Sequence, residues 1–326
     1  MSHPLNIQTG SRLHFGPLTN GRQGGRFFGG IGMMIDWPQI DVSFRLADED
    51  SVDCPDAFHE KVIQSRDNYR DNVTDQKCPA VSIHVEADAA LHSGLGTGTQ
   101  LAMSIAQGLD TLYGYQHPLE QLASFVGRGK RSALGVHGFQ CGGFLVDGGK
   151  RQPNDLGTLV AHHTMNSDWR ILLITPPDSH GLSGTDEEAA FMELDPMPWE
   201  VTSHLCRLVL MELLPALQEA DFPAFSHAIY EYGAKVGDYF APIQGGRYAD
   251  PRMAELVDWL MTRSVQGVGQ SSWGPSLFAF CEHEAHAKRV ELEILDRPEW
   301  SDCRVKTVSA LNAGAKVTPV GEDASV

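Results

Sequence analysis

The sequence predicts an α+β protein of two units, on three observations. Short strands of alternating hydrophobicity and helical-period runs follow one another along the chain. Each half carries a loop of glycines and hydroxyl residues that leads into an apolar run. The pattern is interrupted between about residues 150 and 168, which places the units at 1–165 and 166–326.

In the first unit, Arg12–Phe15 reads as a short strand that enters a glycine-rich turn carrying Arg22 and Arg26. A second strand, Gly30–Ile35, stops at Asp36-Trp37-Pro38, and Ile40–Leu46 follows as an alternating strand. Prolines and polar residues fill 47–80 around one predicted helix near 57–71. Val81–Glu86 alternates Val81, Ile83 and Val85 and is predicted to be a strand.

The stretch 92–107, HSGLGTGTQLAMSIAQ, organises this unit. Gly94, Leu95, Gly96, Thr97 and Gly98 form a loop, and Leu101, Ile105, Leu109 and Leu112 recur at helical spacing after it. The spacing predicts a helix beginning near Thr99 whose free N–H groups and dipole attract an anion. The plainer reading is a tight loop in which Thr97 or Thr99 caps the helix. Neither the Walker spacing nor the dinucleotide GxGxxG spacing is met.

Pro118 opens the next predicted helix, which runs to about Val126. The segment 127–149, GRGKRSALGVHGFQCGGFLVDGG, concentrates Arg128, Lys130 and Arg131 beside Ser132, with His137 nearby, and ends on a strand at Phe144–Val146. A solvated basic loop is the ordinary explanation. Against a net charge of −17, concentrated positive charge in a glycine loop looks placed for an anion.

The second unit starts with a strand at Ile171–Ile174, followed by a helix start at SGTDEEAAFMEL with Thr185 as cap and Glu188 three residues on. Helices are predicted around 198–214, 221–237 and 250–264. QGVGQSSWGPSLFAF, 266–280, reads as a second loop entering a helix, with Pro275 near its start and Leu277, Phe278 and Cys281 on its apolar face. Within it Gly269, Gln270, Ser271 and Ser272 are candidate anion ligands, and Trp273 either stacks on a flat ring or walls the loop. His283 and His286 lie one turn apart, but HExxH is not met and a solvated helix face is the better reading. Strands are expected at 303–309 and 315–318, and the tail 319–326 is expected to be disordered.

The totals bound the function. Hydrophobic content of 42% supports a substantial core, and no apolar run approaches the roughly 18–20 residues that span a bilayer. The six cysteines form no CxxC pair, and the first residues carry no signal-peptide pattern, so a reduced cytoplasmic setting is expected. The acidic charge argues against nucleic acid and anionic membranes as partners.

Four segments together, RLHFG with GRFFGGIG, HSGLGTGTQLA, the 127–149 block and GVGQSSWGPSLFAF, resemble the β-ribofuranosylaminobenzene 5′-phosphate synthase family of the GHMP kinase superfamily. They spread from residue 12 to residue 280. The resemblance implies a two-domain GHMP-kinase-like fold, with an N-terminal domain like ribosomal protein S5 domain 2 and a ferredoxin-like C-terminal domain. It implies a homodimer and a decarboxylating transfer. Phosphoribosyl pyrophosphate and a para-substituted benzoate (4-aminobenzoate or 4-hydroxybenzoate) would give a C-glycoside, CO₂ and pyrophosphate, in tetrahydromethanopterin biosynthesis.

For that chemistry the departing pyrophosphate needs cations and backbone donors. Arg128, Lys130 and Arg131 are the candidate cations, and residues 94–99, ending at Thr99, the candidate donors. Magnesium is the expected cofactor, held largely by phosphate oxygens and water, with no protein ligands assigned. Arg12 or Arg26 would orient the benzoate carboxylate, while His14, His92 and His137 are candidates for proton handling or phosphate hydrogen bonds. The alternative readings are an ATP-dependent small-molecule kinase of the same superfamily and a non-catalytic binding relative. Three departures weigh against the kinase: Thr97-Gly98 replaces the usual serine pair, SALGVHGFQCGG has no acid, and GQSSWGP replaces a GAGGGG-like loop.

Overall fold

A computed structural model of the chain describes residues 4–21, 25–73, 76–88, 94–177, 189–190 and 192–319. The readings placed on Arg22, His92, the Thr185–Glu188 helix start and the tail beyond Pro319 lie outside them.

The first sheet has seven strands: β1 (Leu5–Pro17), β2 (Gly30–Leu46), β3 (Ser51–Asp53), β4 (Val81–Ala87), β5 (Phe144–Asp147), β6 (Leu159–His163) and, from the far end of the chain, β11 (Lys316–Pro319). Their order is β11-β1-β2-β4-β3, with β5 on β2 and β6 on β5. The two strands expected at 30–35 and 40–46 are one strand. Ser11 pairs with Ile35 and Thr9 with Ile40, so Pro38 falls in an unpaired excursion where its missing N–H removes no ladder bond. The strand keeps plain alternation across the excursion, odd residues to one side and even residues to the other. Ile31, Met33 and Ile35 face one core, while Ile40, Val42 and Phe44 face another.

Four helices, α1 (Asp56–Asn72), α2 (Thr97–Leu112), α3 (Leu119–Phe125) and α4 (Leu134–Cys141), cover the second of those faces. The predicted stripe of α2, Leu101, Ile105, Leu109 and Leu112, is buried there. Helix α4 was not foreseen in the glycine-rich 127–149 segment. Its glycines serve close packing: a Cβ on Gly138 would sit 2.5 Å from Met34 Sδ, and one on Gly135 would sit 3.0 Å from Thr99 Cγ2.

The second sheet contains β7 (Arg170–Thr175), β8 (Val268–Gln270), β9 (Leu277–Cys281) and β10 (Arg304–Val308), in the antiparallel order β10-β7-β9-β8. Between β7 and β8 run α5 (Trp199–Leu208), a π-helical turn at Val209–Leu213, α6 (Leu214–Glu219), α7 (Phe222–Gln244) and α8 (Pro251–Met261). Helix α9 (Glu284–Leu295) joins β9 to β10. A β-α-β-β-α-β path with spatial order 4-1-3-2 is the ferredoxin-like arrangement, as expected.

The helix expected after GQSSWGP is instead β9. Phe278 and Phe280 face one core, and Leu277, Ala279 and Cys281 face the other. A strand buried on both faces is apolar throughout and carries no period to separate it from a helix.

The two units share one core. Leu13, Phe15 and Ile31 of the first sheet pack with Phe225, Tyr232, Phe278 and Phe280 of the second unit. The Phe15 and Phe278 rings meet edge-on with centroids 4.9 Å apart, and Tyr232 OH donates to the Gly16 carbonyl at 3.0 Å. With β11 paired to β1, the chain closes back on its first sheet.

Candidate anion-binding active site

The start of α2 is held from three sides. Gly96 is its N-cap residue, in a left-handed conformation (φ +68°) that favours glycine, and no side chain caps the helix. Neither Thr97 nor Thr99 takes the capping role suggested for it. Gln100 is fully buried in the first turn. Its amide oxygen accepts from Thr9 Oγ1 at 2.9 Å, and its amide N–H donates to the Gly135 carbonyl at 2.8 Å. Among the described residues no side chain caps the end of the helix, where the backbone N–H groups point.

The 270–276 loop closes over Gly94. Ser271 Oγ donates to the Gly94 carbonyl at 2.8 Å and accepts from His14 N–H at 3.1 Å. Ser272 N–H donates to the His14 carbonyl at 2.9 Å, and Arg12 N–H donates to the Leu95 carbonyl at 2.8 Å. A Cβ on Gly94 would lie 2.7 Å from the Ser271 carbonyl oxygen and 2.8 Å from that of Gly274. Both sequence-predicted loops therefore meet, across β1, at the start of one helix. The second loop contributes as a latch and not as a helix terminus.

Positive charge converges on the same place. A Cβ on Gly96 would be 2.8 Å from Arg12 Nε. A Cβ on Gly98 would be 3.8 Å from Lys61 Nζ and 4.0 Å from Arg128 Nη2. Arg128 Nε is buried with no hydrogen-bond partner among the described residues. Burial lowers the pKa of Arg128. Lys61 is lowered too, first by burial and then by the Arg128 charge. His14, two residues along β1 from Arg12, is buried, and its pKa falls well below the usual value through desolvation and then the Arg12 charge, so it stays a neutral imidazole. Its Nδ1 has no partner among the described residues.

Other predicted residues stand elsewhere. Arg26 donates from Nε to the Gly148 carbonyl and from Nη2 to the Gly149 carbonyl and Thr158 Oγ1, each at 2.7 Å, which occupies its guanidinium in the β5–β6 turn. His137 is buried in α4 with Nε2 2.7 Å from the Gly157 carbonyl. Lys130 is exposed, and it is its carbonyl that is used, by Lys150 Nζ. Ser132 Oγ accepts from Leu134 N–H at 3.3 Å, at the start of α4, and Arg131 is half-buried beside it. Gly269 lies against the Phe278 ring, and the Gln270 amide bonds Ala249 N–H, Gln244 and the Ser272 carbonyl. Trp273 is buried and stacks on Phe240 at 4.1 Å with planes 19° apart, so it walls the loop and offers no face to a ligand.

Three participants escaped the sequence reading: Lys61, Gln100 and the Asp147–Lys150 pair. Asp147 accepts from Ala133 N–H at 2.9 Å and Gly149 N–H at 2.8 Å, and buried Lys150 donates to the Lys130 and Pro153 carbonyls. These two charges shape the basic loop from within. The signal was present as DGGK, 147–150, an acid and a lysine about two glycines.

The donor set bears on the expected magnesium. Among the described residues no cluster of three or more His, Cys, Asp or Glu could hold a metal ion, and the side chains at α2 are hydrogen-bond donors and cations. His283, considered as a ligand with His286, instead caps α9: its Nδ1 accepts from His286 N–H at 3.1 Å. The described residues do not fit a protein-held divalent cation.

Comparison with known proteins bears on the family and the fold. The family model for the GHMP kinases N terminal domain matches residues 60–144, and that for GHMP kinases C terminal matches residues 213–298, together a little over half the chain. Curated relatives include a β-ribofuranosylphenol 5′-phosphate synthase of Methanothermobacter thermautotrophicus, 28% identical across 86% of this chain and 89% of that protein. Another, of Archaeoglobus fulgidus, is 28% identical across 96% of this chain and 99% of that protein. Among solved structures, homoserine kinase from Cytophaga hutchinsonii superposes with a TM-score of 0.66 at 15% identity, covering 98% of each chain. Mevalonate-3-kinase from Thermoplasma acidophilum gives 0.66 at 10% identity over 98% of this chain and 99% of that one. At those identities the two kinases speak for the fold alone.

Proposed function

Since the chain belongs to the GHMP kinase superfamily, and within it to the β-ribofuranosylphenol 5′-phosphate synthase family, we propose that it joins phosphoribosyl pyrophosphate to a para-substituted benzoate with loss of CO₂ and pyrophosphate. The observation that carries the reading is the convergence of Arg12, Lys61 and Arg128 on the uncapped start of α2, in a chain of net charge −17. Such a site attracts a polyanion where the rest of the molecule repels one.

In this reading the bond from the ribose anomeric carbon to the pyrophosphate oxygen breaks, and both of its electrons leave with pyrophosphate. The cations and backbone N–H groups at α2 stabilise the charge that develops on that leaving group. The ring carbon bearing the carboxylate forms the new C–C bond. The carboxylate then leaves as CO₂, and its bonding electrons restore aromaticity. In this reading Arg12, on the β1 side of the loop, orients the carboxylate, and the Arg26 guanidinium bonds backbone carbonyls in the β5–β6 turn. Neutral His14 beside Arg12 can donate or accept a hydrogen bond without adding charge. The relatives are named for a phenol, which favours 4-hydroxybenzoate over 4-aminobenzoate as the acceptor. Magnesium enters this proposal as a counter-ion of the pyrophosphate. A homodimer, a cytoplasmic setting and a place in tetrahydromethanopterin biosynthesis belong to it as well.

The kinase reading draws support from the fold only. Asp147, the first acid after the basic residues 128–131, is buried and fixed by two backbone N–H groups. Decarboxylation of the benzoate in the absence of ATP separates the two readings.

A further inference from the structure

Lys150, in the β5–β6 turn, is a lysine almost wholly removed from solvent. Its ammonium donates to three backbone carbonyls: Pro153 at 2.7 Å, Gly129 at 3.4 Å and Lys130. Two of those acceptors belong to the basic loop between α3 and α4. In a trans peptide the C=O and the N–H point opposite ways. Drawing the Gly129 and Lys130 carbonyls toward Lys150 therefore turns the N–H groups of Lys130 and Arg131 away from it. The start of the loop is tied as well. Arg128 N–H donates to the Ala123 carbonyl of α3 at 2.7 Å, and two left-handed glycines, Gly127 (φ +66°) and Gly129 (φ +79°), flank it. Arg128 thus takes its direction from the backbone on both sides, and its Nη2 ends 4.0 Å from where a Cβ on Gly98 would be.

A buried positive charge is a costly means of binding carbonyls beside Arg128, Lys130 and Arg131. Burial lowers the Lys150 pKa, and the Asp147 charge acts against that. Asp147 also holds the far end of the loop, through Ala133 N–H. Acid and lysine together set the loop from residue 129 to residue 133 without drawing on the Arg128 side chain.

We propose that Lys150 is a positioning residue for the phosphate site, acting without contact to substrate by fixing the backbone from which Arg128 reaches the start of α2. This rests on the synthase reading for the identity of the anion.

The test is a double-mutant cycle in the full-length protein. Lys150→Met, Lys150→Gln, Arg128→Ala and the Arg128→Ala/Lys150→Met pair are titrated calorimetrically with inorganic pyrophosphate, with melting curves giving the folded fraction. Lys150→Met is expected to weaken binding about tenfold, and Lys150→Gln, which keeps two N–H donors, about threefold. On the Arg128→Ala background, Lys150→Met should weaken it by less than about threefold more, because the residue it acts through is gone. Losses that multiply in the pair overturn the assignment, as does unchanged affinity in Lys150→Met. A chain that folds with neither Lys150 substitution overturns it too, since the lysine then serves folding alone. The synthase reading is judged on the unmodified protein by CO₂ release. A chain that releases CO₂ but shows multiplying losses refutes only the positioning role. A chain with coupled losses that releases no CO₂ refutes only the synthase.

Discussion

Ser271 Oγ donates to the carbonyl of Gly94 across 2.8 Å, joining two loops 177 positions apart in sequence. The same hydroxyl accepts from the His14 N–H, so one small side chain fixes the relation of β1, the glycine loop and the second unit. Ser271→Ala is expected to cost about 1–3 kcal/mol, because the His14 N–H and the Gly94 carbonyl both lose a partner inside the protein. Denaturant titration reads the stability, and steady-state kinetics should report a lower kcat/KM through the displaced glycine loop. An unaltered midpoint would remove the latch from the account.

Arg128 and Lys130 are two residues apart and differ in role. Arg128→Ala is expected to lower kcat/KM for phosphoribosyl pyrophosphate by roughly tenfold or more, with little change in melting temperature. Lys130→Ala, at an exposed position whose carbonyl does the bonding, should change it by less than about threefold. Equal effects would indicate a diffuse basic surface and not a built site.

Trp273→Leu should act on stability. The indole is buried against Phe240, and its loss is expected to cost about 2–4 kcal/mol. The Michaelis constant for the benzoate should remain within about twofold once the folded fraction is accounted for. A selective rise in that constant on a fully folded variant would restore the ligand-stacking role that the structure does not support.

Legibility in the sequence followed the kind of signal. The strand Val81–Glu86 could be read because it has one buried face and a clear period, and α2 because Leu101, Ile105, Leu109 and Leu112 keep helical spacing in a helix buried almost all round. Strand β9 could not, since both its faces are buried. Helix α4 was hidden because Gly135 and Gly138, which read as loop, permit its close approach to Thr99 and Met34. At the site, Arg12, Arg128 and the 94–98 loop were visible as local clusters. Lys61 was not, since nothing in DAFHEKVIQSRDNYRDN marks which exposed-face charge of α1 meets a loop 37 residues later. Arg26 and His137 show the converse: a cation or an imidazole near glycines is equally suited to binding backbone carbonyls, and both do so in the structure.

The neutral state of His14 has a pH consequence. Its pKa in the folded protein lies well below the 6.5 of an ordinary histidine, so below about pH 6.5 the unfolded chain takes up a proton that the folded chain refuses. The stability from this residue is complete above that pH and is lost as pH falls, at up to about 1.4 kcal/mol per pH unit. Denaturation of the parent and His14→Gln between pH 7.5 and about 5 should show a steeper decline in the parent. Parallel curves would place a proton on His14 in the folded state.

The most direct test of the central claim is CO₂ release from carboxyl-labelled 4-hydroxybenzoate, with 4-aminobenzoate in parallel, in the presence of phosphoribosyl pyrophosphate and magnesium and without ATP. The account predicts release that requires both the benzoate and phosphoribosyl pyrophosphate, matched by pyrophosphate formation. No release from either benzoate, together with ATP consumption on addition of a small alcohol, would contradict it and place the chain among the kinases whose fold it shares.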